Sequence, residues 1–121
     1  GDTKAVLYPR TSRTEPTIIT EDHRPETPSE RERIESRGGV IASTATLKPA
    51  DNPKLPQRVW LSKEETDRLG FNCPCPGLMV TRSIGDEISK LAGATCRPAC
   101  FHIDLRDGNY AYLVLASDGI W

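Results

Sequence analysis

The stretch Tyr110–Ala116 is apolar at nearly every position, and this restricts the folds that are open to the chain. A strand that is apolar on both faces is typical of the interior of a sheet that is covered on both sides. The preceding residues Phe101–Leu105 alternate apolar and polar side chains, which predicts a half-buried strand. Because Arg106–Asn109 is typical of a turn, we predict an antiparallel hairpin that ends in a buried central strand.

Other short apolar runs are separated by polar loops. Ala5–Tyr8 and Thr17–Thr20 are typical of short strands, and the β-branched residues of Val40–Leu47 favour another. Further short apolar runs lie at Arg58–Trp60 and Gly77–Thr81, and a helix is expected to start near Ser62.

One helix has clear boundaries in the sequence. Thr27 is a good N-cap, Pro28 suits the first helical position, and Glu30 completes the T-x-x-E pattern of a capping box. The pair Gly38-Gly39 is a typical C-terminal signal. Because Ile34 is the only large apolar residue in between, we predict a helix that lies on a surface.

Composition excludes several classes of function. The chain has 121 residues, 36% of them hydrophobic and 27% charged, with a formal net charge of -1, so nothing favours binding to nucleic acid or to an acidic membrane surface. No apolar run approaches the ~20 residues of a membrane-spanning helix. The residues Gly1–Lys4 carry no signal-peptide pattern, and we expect the chain to be a piece of a larger domain.

The four cysteines are spaced C-x-C and C-x-x-x-C, which is not a common zinc pattern. We expect reduced thiols in an intracellular protein, in the cytoplasm or the nucleus, with a zinc site or disulfides as alternatives. These residues are Cys73, Cys75, Cys96 and Cys100.

Three carboxylates flank apolar runs next to a glycine. Asp2 precedes the first strand, Asp86 follows Gly77–Thr81, and Asp118 follows the last strand. Mg²⁺ and Mn²⁺ prefer oxygen ligands, and a neighbouring glycine such as Gly119 allows close approach to the backbone. The pattern permits a metal site, although a single Asp-Gly pair more often forms only a turn.

The order of the motifs is more specific than any one of them. The chain reads GDTKAVL, then TEDHRPETPSERERIESRGGVI, RVW, PGLMVTRSIGD and LVLASDGIW. This series resembles the protein phosphatase 2C family, the metal-dependent serine/threonine phosphatases. The resemblance implies an α+β fold, a four-layer α/β/β/α sandwich of two antiparallel sheets. Residues 1–121 would be a fragment from the central to C-terminal part of the catalytic domain, with a variable flap at 61–76.

The resemblance also implies a metal centre with two or more Mg²⁺ or Mn²⁺ ions. Asp118 matches a core metal ligand, and Asp2 matches a ligand of a further, more weakly bound ion. The other matching residues imply structural roles around the site, and they are Asp86, Arg58, Arg82 and Gly119. His23 is expected to be structural, because the family's catalytic histidine lies in an Asp-Gly-His motif that this chain lacks.

The activity implied is hydrolysis of phosphoserine and phosphothreonine in phosphoprotein substrates by a metal-activated water, in a monomer. This piece alone is expected to be inactive, because it also lacks the family's first acidic ligand, its phosphate-binding arginine and its final Asp-Asn motif. The alternatives are a pseudophosphatase that acts as a binding module and a zinc-stabilised interaction module. The flap is expected to influence substrate preference more than metal binding.

Overall fold

The computed structural model describes residues 1–11, 13–43, 55–106 and 108–121. They divide into two compact units, one made of Gly1 with His23–Arg97 and the other of Asp2–Asp22 with Pro98–Trp121. Among the described residues, no helix is long and apolar enough to cross a membrane. The elements in chain order are β1 (Lys4–Pro9), β2 (Thr17–Ile18), α1 (Pro28–Ser36), β3 (Val40–Ala42), β4 (Arg58–Trp60), α2 (Lys63–Arg68), β5 (Pro76–Leu78), α3 (Glu87–Leu91) and β6 (Tyr110–Ala116).

The first unit contains a three-stranded antiparallel sheet in the order β3-β4-β5. Its core is small and apolar, and it joins α1, the sheet and the end of α3. The indole nitrogen of Trp60 donates to the carbonyl of Ala42 at 3.0 Å, which ties β4 to β3 beyond the backbone ladder. The core residues are Ile34, Ile41, Val59, Leu61 and Ala92.

The glycine pair after α1 ends the helix, as the sequence predicts, but its two members differ. Gly38 has a φ of +81° and open space around it, so it serves the backbone turn. Gly39 is buried, and a Cβ at this position would lie 2.1 Å from the carbonyl oxygen of Ala92. Gly39 is therefore needed because the backbone near Ala92 leaves no room for a side chain.

The predicted capping box at α1 is wrong in its side chains. Thr27 is the N-cap, but its side chain makes no capping hydrogen bond. The carboxylate of Glu30 instead binds Arg33 and Arg82, and Glu30 is only 1% exposed. The helix lies on the surface, as predicted, and the two residues that it buries are Glu30 and Ile34.

The second unit contains a three-stranded antiparallel sheet in the order β2-β1-β6. The central strand β1 buries Ala5, Val6 and Leu7. The ladder between β1 and β6 runs from Lys4 opposite Ala116 to Pro9 opposite Tyr110. This pairing joins two segments from opposite ends of the chain.

Two predictions about the last part of the chain are wrong. Phe101–Leu105 forms no strand, and β6 pairs with β1 rather than in a hairpin. β6 is also not buried, since Tyr112 is 72% and Leu115 is 68% exposed. Tyr112 and Leu115 lie on opposite faces of the strand, so neither face of β6 is fully covered by the described residues.

The other local predictions have mixed outcomes. The strands at Ala5–Tyr8 and Thr17–Thr20 are confirmed as β1 and a shorter β2, and the expected helix start at Ser62 is confirmed as the N-cap of α2. The apolar run at 77–81 forms a strand only at Pro76–Leu78. The strand predicted at 40–47 is present at Val40–Ala42, and its last four residues lie outside the described residues.

Candidate metal centre

Asp2 and Asp118 lie beyond the same end of the β1–β6 ladder. The last ladder pair at this end is Lys4 opposite Ala116. Asp2 precedes Lys4 by two residues, and Asp118 follows Ala116 by two residues. Both carboxylates therefore lie just beyond the same end of the two paired strands. The antiparallel register therefore brings together two residues from opposite ends of the sequence.

A turn after β6 holds Asp118. The amide of Ile120 donates to the carbonyl of Ser117 at 3.1 Å, and the indole nitrogen of Trp121 donates to the carbonyl of Ala116 at 2.9 Å. A Cβ at Gly119 would meet nothing nearer than the Ser117 hydroxyl at 4.0 Å. This turn leaves Asp118 exposed and the backbone beside it accessible.

The donor set suits a hard divalent cation but is not complete. Carboxylate oxygens are the ligands that Mg²⁺ and Mn²⁺ prefer, and Mg²⁺ commonly keeps several waters beside one or two carboxylates. Within the part of the chain that the structure describes, no group of three or more His, Cys, Asp or Glu side chains could hold a metal ion. Asp2 and Asp118 therefore fit as two ligands of a centre that needs further ligands.

A buried ionic cluster in the first unit surrounds Glu30. Its carboxylate lies 2.8 Å from Nη1 of Arg33 and 2.6 Å from Nη2 of Arg82, and it accepts a hydrogen bond from the Thr81 hydroxyl. Burial alone would raise the pKa of Glu30, but the hydrogen bonds from Arg33, Arg82 and Thr81 hold that pKa well below its usual range. Glu30 is thus a fixed negative charge in the core.

The residues for which the family resemblance implies structural roles each make different contacts. Arg82 pairs with Glu30 and also donates to the carbonyl of Arg97 at 3.2 Å. Arg58 donates from Nη1 to the carbonyl of Gly77 at 2.8 Å, which links β4 to β5. Asp86 is the N-cap residue of α3 with a left-handed backbone at φ 49°, and its carbonyl accepts from the Ser89 hydroxyl at 2.6 Å.

His23 connects two segments through its backbone. Its amide donates to the carbonyl of Gly1 at 3.0 Å, and its carbonyl accepts from the amide of Thr81 at 2.8 Å. Burial and the positive charge of Arg82 lower the pKa of the His23 imidazole. The segments around Gly1 and Thr81 are therefore held together by main-chain hydrogen bonds.

The cysteines give no support to the zinc alternative. All four are free thiols, and Cys73, Cys96 and Cys100 are exposed. Cys75 packs against the core of the first unit, and burial raises the pKa of its thiol. No cysteine belongs to a metal-binding group of three or more side chains within the described ranges.

Sequence reasoning missed the importance of Glu30 and Thr81. The sequence predicts only half of a capping box for Glu30, and it places Thr81 only at the end of the apolar run Gly77–Thr81. A usable signal was present in the E-x-x-R spacing, which places Glu30 and Arg33 on one face of the helix. Nothing in the local sequence indicates that Thr81 and Arg82 would join them.

Comparison with known proteins identifies the family to which the chain belongs. The family model for protein phosphatase 2C matches residues 1–121. The chain is 37% identical to Probable protein phosphatase 2C 73 of Oryza sativa subsp. japonica over 124 residues, covering 100% of this chain and 26% of that relative. It is 35% identical to Probable protein phosphatase 2C 52 of Arabidopsis thaliana over 124 residues, covering 100% of this chain and 23% of that relative.

A solved structure has the same fold. The crystal structure of serine-threonine phosphatase 2C from Toxoplasma gondii matches with a TM-score of 0.73 and 21% sequence identity, covering 100% of this chain and 36% of that one. The chain belongs to the protein phosphatase 2C family, with two antiparallel sheets and helices that form a fragment of the family fold. It spans about a quarter of the length of the curated relatives named here.

Proposed function

We propose that this chain is part of a Mg²⁺- or Mn²⁺-dependent phosphatase that hydrolyses phosphoserine and phosphothreonine in proteins. The observation that carries the proposal is the register of β1 and β6, which places Asp2 and Asp118 beyond the same end of the two paired strands. Membership of the protein phosphatase 2C family supports the phosphatase activity. The cations, when bound, supply a water of lowered pKa as the nucleophile toward phosphorus.

The chain's own contribution to this chemistry is a pair of carboxylates whose positions are restricted by the sheet. Asp118, on the turn after β6, and Asp2, before β1, supply oxygen ligands from two neighbouring strands. Lys4 lies two residues from Asp2 and forms an ion pair with Asp22 at 3.5 Å, so its positive charge is paired with a carboxylate. Because both strands belong to one hydrogen-bonded sheet, the separation of the two carboxylates is restricted before a cation binds.

Asp118→Asn is the variant that tests the proposal in the full-length protein. Loss of a ligand charge should lower Mn²⁺-dependent activity on a phosphothreonine peptide by about 100-fold, since several kcal/mol of charge stabilisation is at stake and each 1.36 kcal/mol is tenfold in rate. Mn²⁺ titration should show weaker binding as well. The matched control is Asp104→Asn, an exposed carboxylate in the same unit that pairs with Arg106, and it should retain wild-type activity.

The coding sequence beyond Gly1 and Trp121 decides between this proposal and its alternative. An Asp-Gly-His motif upstream and an Asp-Asn motif downstream would supply the remaining ligands. If the flanks lack these carboxylates, or if Asp118→Asn leaves Mn²⁺-dependent activity unchanged, the enzyme proposal fails. The chain would then be a binding relative of the phosphatases.

We further propose that the segment 61–76 acts as the flap that influences substrate choice. Leu61 belongs to the core and its amide donates to the carbonyl of Cys75 at 2.8 Å, whereas α2 (Lys63–Arg68) is mostly exposed. A replacement should therefore keep Leu61 and Cys75 and exchange only α2 for a short linker. We expect altered relative rates on a panel of phosphopeptides, with unchanged Mn²⁺ affinity, and unaltered relative rates would contradict the assignment.

A further inference from the structure

Cys73 and Cys75 place two thiols of the first unit one residue apart, and the proposed metal centre uses neither of them. Both thiols are free. Consecutive Cα atoms are about 3.8 Å apart, so residues i and i+2 are separated by at most about 7.6 Å. Because a disulfide needs a Cα separation of roughly 4.4–6.8 Å, the connectivity of the chain keeps this pair near bonding range.

The backbone is held on both sides of the two thiols. Phe71 packs against the core of the first unit, and its amide donates to a carbonyl of α2 at 3.1 Å. The carbonyl of Cys75 accepts from the amide of Leu61 at 2.8 Å, and β5 begins at the next residue. The residues 72–74 between these anchors belong to no helix or strand. The connection can therefore adjust around Cys73 without breaking a helix or a strand.

The two thiols differ in their access to solvent. Cys73 is exposed, whereas Cys75 is partly buried and packs against the core. Burial, and after it the charge of the neighbouring Cys73, raise the pKa of the Cys75 thiol, so less of it is thiolate at neutral pH. Because the thiolate is the form that attacks an oxidant, an oxidant that arrives from solvent reacts with Cys73 first.

We propose that Cys73 and Cys75 form a site of reversible oxidation by hydrogen peroxide, at which Cys73 is oxidised first and Cys75 then closes a disulfide. The Cys73 thiolate attacks one peroxide oxygen and the O–O bond breaks. Cys73 becomes a sulfenic acid, and the other oxygen leaves as hydroxide and is protonated to water. The Cys75 sulfur then attacks the Cys73 sulfur, and the departing hydroxide takes up the Cys75 proton as a second water.

The reaction balances without any further reactant. Two thiols and one hydrogen peroxide give one disulfide and two waters, and a small-molecule dithiol restores both thiols by exchange. The site lies in the first unit, and its chemistry does not require the metal centre.

The short spacing protects the exposed thiol from irreversible damage. A sulfenic acid that meets a second peroxide becomes a sulfinic acid, which ordinary thiols do not reduce. A partner thiol on the same short connection has an effective concentration on the order of millimolar. When peroxide is more dilute than this, Cys75 reaches the Cys73 sulfenic acid first, and oxidation stops at the disulfide.

Peptide mapping of the full-length protein tests the proposal. Trypsin cleaves after Arg68 and Arg82 and releases both thiols in the single peptide 69–82. The reduced protein is treated with dilute hydrogen peroxide, remaining free thiols are alkylated, and the digest is weighed by mass spectrometry. We expect the peptide to lose both thiols together, with two hydrogens fewer and no added oxygen, and dithiothreitol to restore both thiols.

Three variants assign the role of each thiol. In Cys75→Ser the oxidised Cys73 has no partner, and it should accumulate as sulfinic acid instead of a disulfide. In Cys73→Ser the partly buried Cys75 should stay reduced over the same exposure. The matched control replaces both Cys96 and Cys100, two exposed cysteines outside this connection, with serine, and it should form the disulfide in peptide 69–82 with unchanged yield.

Several results would overturn the proposal, and most of them come from the unmutated protein. Peptide 69–82 could remain a dithiol after peroxide, Cys73 could take up oxygen while Cys75 stays a free thiol, or Cys73 could join a different cysteine. Equal amounts of sulfinic acid on Cys73 in wild type and Cys75→Ser would show that Cys75 does not intercept the sulfenic acid. Brief treatment with iodoacetamide before peroxide should alkylate Cys73 ahead of Cys75, and the reverse order would contradict the assignment of the first thiol.

Discussion

Glu30→Gln is expected to lower the free energy of unfolding of the full-length protein by about 3–5 kcal/mol, the cost of breaking a buried ion pair from one side. The substitution keeps the shape of the side chain but leaves Arg33 and Arg82 without their shared negative charge. Both guanidinium groups are largely buried, so water cannot replace that charge fully. Urea unfolding, followed by tryptophan fluorescence, measures the loss.

Glu35→Gln on the same helix is the control for this variant. Glu35 pairs with Arg31 at 3.0 Å, but the two side chains are 51% and 39% exposed, so the change should cost no more than about 0.5 kcal/mol. Similar losses for the two variants would contradict the buried role of Glu30.

The difference in unfolding free energy between wild type and Glu30→Gln should change with pH in a definite direction. The pKa of Glu30 in the folded protein lies below its ordinary value of 4.5, so its stabilising charge is fully present above that pH. As the pH falls below 4.5, the unfolded chain takes up the proton first and the folded state loses its advantage. The difference in stability between wild type and Glu30→Gln should therefore shrink on acidification and stay constant between about pH 6 and 8.

Gly39→Ala is expected to destabilise the protein by about 3 kcal/mol, the upper part of the range for overpacking a core. The added Cβ would lie 2.1 Å from the carbonyl oxygen of Ala92 and 2.8 Å from Cγ2 of Ile34. The first of these atoms belongs to the backbone, so the clash cannot be relieved by a change of rotamer. The end of α1 would have to move away from the turn that follows α3.

Gly38→Ala separates the effect of space from that of backbone conformation. Gly38 has a φ of +81° and nothing within 4 Å of an added Cβ, so alanine here should cost only about 1–2 kcal/mol. Thermal and urea unfolding of the two variants give the comparison. A loss for Gly39→Ala that does not exceed the loss for Gly38→Ala would show that the backbone near Ala92 can move aside.

Elements with strong local signals could be predicted from the sequence. Proline at the start of α1 and the glycines after it define that helix, and Ser62 defines the start of α2, because capping depends on neighbouring residues. The strand β1 was also predictable from its short apolar run. The carboxylates Asp2 and Asp118 were found because motif order, not local structure, identified them as candidate ligands.

Features that depend on distant partners could not be predicted in this way. The partner of β6 is β1, and nothing in the residues around Tyr110 distinguishes that pairing from a hairpin with Phe101–Leu105. The role of Glu30 depends on Thr81 and Arg82, which lie about fifty residues further along the chain. Tertiary charge pairing overrode the capping box, whose energy is only about 1 kcal/mol.

The pairing of β1 with β6 has a consequence for the order of folding. The second unit is built from two segments, Asp2–Asp22 and Pro98–Trp121, so its sheet requires pairing between residues as distant in sequence as Lys4 and Ala116. Such contacts of high sequence separation pay loop-closure entropy before they gain energy, and they form slowly. During synthesis, Asp2 emerges long before the strand that carries Asp118, so the two carboxylates meet only after the intervening segments have been made. A cation held by both carboxylates, as we propose, can bind only after the two segments have paired, so its binding would stabilise the correctly paired sheet.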